Sequence, residues 1–109
     1  MTSDEQAVAT LGNWLALESP THDTTAINAM QDMILAEIAD EPVAVERIPG
    51  RDGLGDCAVL HAGADNDRPA ILGVSHVDTV HPVGTLAGAL PVRRDGDRLY
   101  GPGAYDMKG

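Results

Sequence analysis

The spacing of apolar residues in the first forty positions predicts two amphipathic helices. In the first helix, apolar side chains recur every three or four residues from Val8 to Leu15, behind a capping box formed by Ser3 and Gln6. We expect this helix to run from about Asp4 to Glu18. It should end before Pro20, because proline disfavours helical geometry in the residue that precedes it.

The second helix is predicted to begin near Thr21 or Asp23, because either side chain can cap it. Glu41-Pro42 should close it. Its buried face is marked by one apolar stripe at helical spacing, which consists of Ile27, Met30, Ile34 and Ile38.

Beyond Pro42 the pattern changes from helical to extended. We expect strands over residues 43–48 and 56–61, separated by a turn rich in glycine. Residues 70–74 contain no polar position, which is typical of a central strand covered on both faces. Asp95-Gly96 predicts a two-residue hairpin turn. Two helices followed by these strands predict an α/β sandwich with a mixed, partly parallel sheet.

Composition narrows the classes of protein to consider. The 109 residues suffice for one small domain, and 43% hydrophobic and 22% charged residues are ordinary globular usage, so we expect a core. A net charge of −10 disfavours nucleic acid and anionic membranes as partners.

No segment approaches the ~20 apolar residues of a membrane span, and the first residues do not resemble a signal peptide. The single Cys57, predicted to be a small buried strand residue, cannot form an intramolecular disulfide. These features favour a cytoplasmic location.

Candidate chemistry begins where the apolar run of residues 70–74 ends. Ser75-His76-Val77-Asp78 follows at the carboxyl end of this predicted strand, the edge of an open α/β sheet where ligands usually bind. In an extended chain, His76 and Asp78 project to the same side. A carboxylate in that position can accept the second N–H of a metal-bound imidazole and so orient it. An isolated His-x-Asp pattern is nevertheless common, so the motif carries little weight alone.

A second candidate motif covers residues 101–109. Asp106 lies in a loop whose Gly101 and Gly103 permit tight backbone paths beside a site. The ordinary alternative for an isolated Asp is a helix cap or a turn. Lys108 lies in the same motif without an assigned task, and His81 could either approach the mouth of a site or belong to a simple loop.

Together the two motifs, Ser-His-Val-Asp-Thr-Val-His-Pro at 75–82 and Gly-Pro-Gly-Ala-Tyr-Asp-Met-Lys-Gly at 101–109, closely resemble the dinuclear zinc hydrolases. That family includes glutamate carboxypeptidase, aminoacylase, acetylornithine deacetylase and succinyl-diaminopimelate desuccinylase. Residues 18–21 and 43–49 also resemble the start of its catalytic domain. The resemblance implies a three-layer sandwich, of which residues 1–109 would be the incomplete N-terminal portion.

The resemblance also implies roles for three residues. His76 would bind one zinc ion, Asp106 would bridge two, and Asp78 would be the catalytic residue that steadies His76. A carboxylate has two oxygens and can bridge ions about 3.5 to 4 Å apart while offsetting their repulsion. The family commonly has a cis peptide at the position of Asp106-Met107. Zinc is the expected metal, with cobalt or manganese as alternatives.

The function implied by the resemblance is cleavage of an amide bond by metal-activated water, in an enzyme longer than this chain. The family's general base and remaining metal ligands come from later sequence, so we expect the chain alone to be inactive and to bind zinc weakly. Pro102 stands where many members have Arg, which favours a carboxypeptidase acting on small peptides or N-acylated amino acids. An N-acyl amino acid deacylase, of the acetylornithine deacetylase or desuccinylase type, and a noncatalytic remnant of the fold are the alternatives. A homodimeric full-length enzyme remains open.

Overall fold

The computed structural model describes residues 3–63 and 67–109. Two helices come first along the chain, and two separate antiparallel hairpins follow them. The elements are α1 (Asp4–Leu15), α2 (Thr24–Glu37), β1 (Val43–Ile48), β2 (Cys57–Ala62), β3 (Arg93–Asp95) and β4 (Arg98–Tyr100). Within these described residues, no helix is both long enough and apolar enough to cross a membrane.

Helix α1 starts as predicted and ends earlier. Ser3 and Gln6 form the expected capping box. The helix stops at Leu15 rather than at Glu18. The carbonyls of Trp14 and Leu17 at this end accept hydrogen bonds from Lys108 Nζ, and the Ser19 carbonyl accepts the Thr79 N–H, so the residues after Leu15 are engaged by distant parts of the chain.

Helix α2 begins at one of the two predicted caps. The Asp23 side chain accepts a hydrogen bond from the Ala26 N–H at 3.0 Å, and the helix then runs from Thr24 to Glu37. Ile27 and Met30 of the predicted stripe are buried. The helix ends before Glu41-Pro42, because residues 38–42 form short turns that lead into β1.

The first hairpin confirms the two strands that the sequence predicts, with the second strand one residue later. β1 and β2 pair in register from Val43 opposite Ala62 to Ile48 opposite Cys57. Asp56 stays outside β2 because its carboxylate accepts the N–H of Gly50 at 2.9 Å.

A polar cluster ties this hairpin to α2. The Asp56 carboxylate also accepts from Arg47 Nε at 2.9 Å, and Arg47 Nη1 reaches Asp32 of α2 at the same distance. The Asp56 N–H donates to the Asn28 side chain at 2.8 Å. The hydrogen bond from Gly50, followed by that from Arg47, holds the pKa of Asp56 below its usual value.

The apolar segment 70–74 is not the buried central strand that the sequence predicts. It forms no strand, and Ile71, Leu72 and Val74 are 100%, 85% and 80% exposed. It lies across a cavity of about 540 Å³ from β2. An all-apolar strand is buried only where neighbours cover both of its faces, and within residues 3–63 and 67–109 no strand pairs with it. Cys57, also predicted to be buried, is exposed and lines the same cavity.

The second hairpin is present, with its turn displaced by one residue. Asp95 belongs to β3 and pairs with Arg98, so the turn consists of Gly96 and Asp97. Gly96 has a φ of +59°, which glycine adopts without a steric penalty. The sheets of the described residues are both antiparallel, and one isolated parallel bridge joins Pro20 to Thr79. The three-layer sandwich with a mixed sheet therefore stays a prediction.

Candidate metal centre

The structure brings the three predicted site residues together around one imidazole ring. His76 Nε2 lies 2.8 Å from Asp106 Oδ1. On the other side of the ring, Nδ1 lies 3.1 Å from Asp78 Oδ1 and 3.0 Å from the Asp78 backbone oxygen. The side chains are 44% exposed for His76, 32% for Asp78 and 75% for Asp106. The site is therefore open to solvent on the Asp106 side and more enclosed behind Asp78.

Asp78 is held in place by the residues that follow α1. The Thr79 N–H donates to the Ser19 carbonyl at 2.8 Å, and Ser19 Oγ donates to the Val77 carbonyl at 2.8 Å. The Thr21 hydroxyl donates to Asp78 Oδ2. We call these contacts between residues 19–21 and 77–79 the strap. Because Ser19 and Thr79 are 0% and 4% exposed, the strap fixes the backbone on both sides of Asp78 in a water-free environment.

The loop that carries Asp106 packs directly on this strap. A Cβ at Gly103 would lie 2.8 Å from Thr79 Cγ2, and Gly103 has a φ of +82°. A Cβ at Gly101 would lie 3.1 Å from Leu15 Cδ1, at the end of α1. These close approaches confirm the tight backbone path predicted from the two glycines. They place Asp106 beside the residues that hold Asp78.

Lys108 anchors the far end of the same loop, a role that no sequence pattern predicted. Its side chain is buried, and Nζ donates to the carbonyls of Trp14 at 3.0 Å and Leu17 at 2.7 Å. Both carbonyls lie at the end of α1, where backbone acceptors lack helical partners and a positive charge is favoured. Burial lowers the pKa of Lys108 to about 8. The cis peptide implied for Asp106-Met107 is present in the same loop.

A cavity of about 330 Å³ adjoins Asp106. Its wall includes His81, Tyr100 and Tyr105. His81 therefore lies next to the site, and whether its side chain has more than a loop role stays a prediction. Its backbone N–H donates to Thr79 Oγ1 at 3.3 Å, so the same strap that holds Asp78 also locates this wall.

Two carboxylates set the electrostatics of the imidazole. The hydrogen bond with Asp106, opposed in part by desolvation and reinforced by Asp78, raises the pKa of His76 above its usual value. A raised pKa favours the protonated ring, and a metal ion would have to displace that proton to bind. The arrangement is therefore one in which a proton or a cation can occupy the same position between His76 and Asp106.

The residues present fit part of a zinc site. Imidazole nitrogen and carboxylate oxygen are zinc ligands with bonds of about 2.0 to 2.2 Å, and His76 Nε2 and Asp106 Oδ1 are neighbours at a hydrogen-bond distance of 2.8 Å, so both could bind one ion once the proton is lost and the two atoms move slightly apart. Asp78 on Nδ1 is the partner that orients a zinc-binding histidine. In the part of the chain that the structure describes, no group of three or more His, Cys, Asp or Glu residues is arranged to hold a metal. Further ligands would have to complete the site.

Comparison with known proteins shows a similarity along nearly the whole chain. The chain is similar to Carboxypeptidase G2 of Pseudomonas sp. (strain RS-16), with 36% identity over 111 residues. The similarity covers 98% of this chain and 26% of the carboxypeptidase, so the chain spans about a quarter of that relative's length. The aligned region includes both the 75–78 segment and Asp106. No protein-family profile matches the chain.

Proposed function

We propose that this chain is part of the catalytic domain of a zinc-dependent carboxypeptidase, which removes a C-terminal residue from small peptides or N-acylated amino acids. One observation carries the proposal. The ring of His76 is held between Asp78 and Asp106, which come from segments 28 residues apart, in a chain similar to a carboxypeptidase along almost its whole length. Neither the geometry nor the similarity alone would be as specific.

Each of the three residues has a distinct part in the proposed site. His76 Nε2 and Asp106 Oδ1 would bind the metal. Asp78 would accept the Nδ1–H of His76 and so keep Nε2 directed towards the metal. Because the Asp106 side chain is 75% exposed, its second oxygen is accessible to a second ion. Zinc ions bound here would activate water and polarise the amide carbonyl of the substrate.

The cavity beside Asp106 supports a small substrate. Its volume of about 330 Å³ is near the lower end of the usual range for ligand sites, about 300 to 1,000 Å³. The lining residues Tyr100, Tyr105 and His81 each combine a ring with a polar group. A wall of this kind suits an amino-acid side chain better than an extended polymer.

The proposal is tested with the complete protein that contains this chain. His76→Ala should lower zinc content and reduce kcat/KM for dipeptides by at least ~100-fold, because it removes a metal ligand. His22→Ala is the matched control, since His22 is exposed. Metal analysis and a peptide-hydrolysis assay would measure both effects. Full zinc content and activity in His76→Ala would contradict the proposal.

A substrate panel tests the specificity. Dipeptides and N-acyl amino acids with a free carboxylate should be cleaved, and their C-terminal amides should not. Cleavage of N-acyl amines without regard to that carboxylate would favour a deacylase instead. Absence of hydrolysis and of zinc would favour a noncatalytic protein. By calorimetry, the 109-residue chain alone should bind zinc weakly, and tight binding of two ions would contradict our expectation that it lacks ligands.

A further inference from the structure

We propose that Thr21 is a positioning residue for the candidate metal centre. Its hydroxyl holds the Asp78 carboxylate in the orientation that keeps the His76 ring in place. The significance of this inference rests on the proposed function, but the hydrogen bonds on which it depends can be tested without metal. Nothing in the sequence around Thr21 beyond a possible helix cap predicted this role, and α2 is capped by Asp23 instead.

The Asp78 carboxylate is held through both of its oxygens. Oδ2 accepts the Thr21 hydroxyl, and Oδ1 lies 3.1 Å from His76 Nδ1, which the Asp78 backbone oxygen also approaches at 3.0 Å, so the side chain and the backbone of Asp78 face the ring together. A hydroxyl has only one hydrogen to donate. The other acceptor near Thr21 Oγ1 is the Thr79 carbonyl, at the longer distance of 3.5 Å, so Asp78 takes the hydrogen. The carboxylate therefore cannot rotate without losing one of its two contacts.

Thr21 is itself fixed by the strap. It follows Ser19, which is fully buried and bonded to Val77 and Thr79, and Pro20, which forms a bridge with Thr79. Proline also restricts its own backbone, which limits the movement of the residue beside it. The position of the Thr21 hydroxyl is therefore set by buried backbone contacts and not by a freely moving surface side chain.

The result is a row of four side chains, Thr21, Asp78, His76 and Asp106, joined by successive contacts. Each contact fixes the orientation of the next group, and the row ends at Asp106, where the metal is proposed to bind. Partners that orient a metal-binding histidine typically contribute 10- to 100-fold to metal affinity. Thr21 acts one step further away, so we expect its loss to weaken zinc binding about 10-fold.

Two variants of the 109-residue chain separate the hydroxyl from the rest of the side chain. Thr21→Val keeps the shape and removes the hydroxyl, whereas Thr21→Ser keeps the hydroxyl and removes the methyl group. Nuclear magnetic resonance of the histidine rings, without metal, should show shifted His76 ring nitrogens in Thr21→Val and near-native ones in Thr21→Ser. His61 in β2 is the internal reference and should not change.

Unchanged His76 signals in folded Thr21→Val would overturn the proposal, as would equal shifts in the two variants. If Thr21→Val does not fold, the unaltered chain decides: the Thr21 hydroxyl proton should exchange slowly with solvent, and rapid exchange would contradict the proposal. In the complete protein, zinc affinity should fall about 10-fold in Thr21→Val and recover in Thr21→Ser. A protein that binds no zinc would refute the proposed function while leaving the His76 signature intact, so the two failures are distinguishable.

Discussion

Two adjoining segments, residues 70–76 and residues 77–79, differ sharply in how they are packed. Ile71 in the first is 100% exposed, whereas the polar Thr79 in the second is 4% exposed. Hydrophobicity alone would predict the reverse. The difference lies in the partners: residues 77–79 meet the Ser19 hydroxyl and carbonyl, whereas residues 72–74 border a cavity that separates them from β2. Burial follows the supply of packing and hydrogen-bonding partners, not the composition of the segment alone.

Near residues 72–77, the indole N–H of Trp14 lacks a hydrogen-bond partner among the described residues. Trp14 lines the cavity between β2 and these residues, and its indole Nε1 is buried. A buried donor without a partner is costly.

The largest expected difference in stability is between two leucine-to-alanine substitutions, one at the buried Leu15 and one at the exposed Leu72. Leu15→Ala should lower the free energy of unfolding by about 2 to 5 kcal/mol, because Leu15 is fully buried against the Asp106 loop. Leu72→Ala should change it by less than about 0.5 kcal/mol, because Leu72 is 85% exposed. Urea unfolding would measure both. Equal losses would show that residues 70–76 are packed after all.

A second, smaller effect should follow loss of the anchor at Lys108. Lys108→Met keeps the aliphatic stem but leaves the carbonyls of Trp14 and Leu17 without their buried donor. We expect a loss of about 1 to 3 kcal/mol in the free energy of unfolding. The control is Arg51→Met, because the Arg51 side chain is 92% exposed. If the two variants are equally stable in urea, the Lys108 contacts do not hold the loop.

A third prediction concerns the β1–β2 hairpin, which has the polar anchors that the apolar side chains of residues 70–74 lack. The pKa of Asp56 is lowered by its hydrogen bonds from Gly50 and Arg47. The stabilisation that this carboxylate provides is therefore present above its ordinary pKa, near 3.8, and is lost as the pH falls through its lower folded-state pKa.

Asp56→Asn should accordingly be less stable than the native chain at neutral pH and lose less stability between about pH 5 and about pH 2. Glu46→Gln, an exposed β1 variant, should keep the native pH profile. Thermal unfolding midpoints across this range would measure the difference. Parallel profiles for Asp56→Asn and the native chain would contradict the assignment.

The smallest effect on stability should come from the exposed segment itself. Ile71→Lys removes apolar surface that contacts water and should change the free energy of unfolding by less than about 0.5 kcal/mol. It should nevertheless reduce the binding of a hydrophobic dye and any concentration-dependent association, because exposed apolar patches attract partners. The control is Thr25→Lys, because Thr25 is exposed. Thr85 would not serve, because its hydroxyl donates a hydrogen bond. Unchanged dye binding in Ile71→Lys would show that the dye binds to another apolar surface.

Local features of the fold were predictable from the sequence. The Ser3 capping box, the Asp23 cap and the β1 strand depend on neighbouring residues, and all three are confirmed. The contacts of Lys108 with the end of α1, more than ninety residues earlier, were not predictable, and the helix ends at Leu15 rather than Glu18. Periodicity describes what a segment prefers and carries no information about such remote partners.

In the candidate site, too, local contacts were predictable from residue spacing and remote ones were not. The pairing of His76 with Asp78 follows from alternation along an extended chain and is confirmed. The contact of His76 with Asp106 was implied by family resemblance, not by spacing, and the two residues do lie together. Thr21 carries no sequence signal for its role, since a threonine before a helix is read first as a cap.

The hydrogen bond from the Thr79 N–H to the Ser19 carbonyl joins backbone groups, which nearly every amino acid possesses. Replacing either side chain therefore leaves this bond available, and a scan of single alanine variants would score it as silent. Proline at position 79 would remove the donor, and a backbone ester there would do so without altering the side chain. Part of the position of the candidate site therefore depends on backbone hydrogen bonds, which side-chain mutagenesis does not detect.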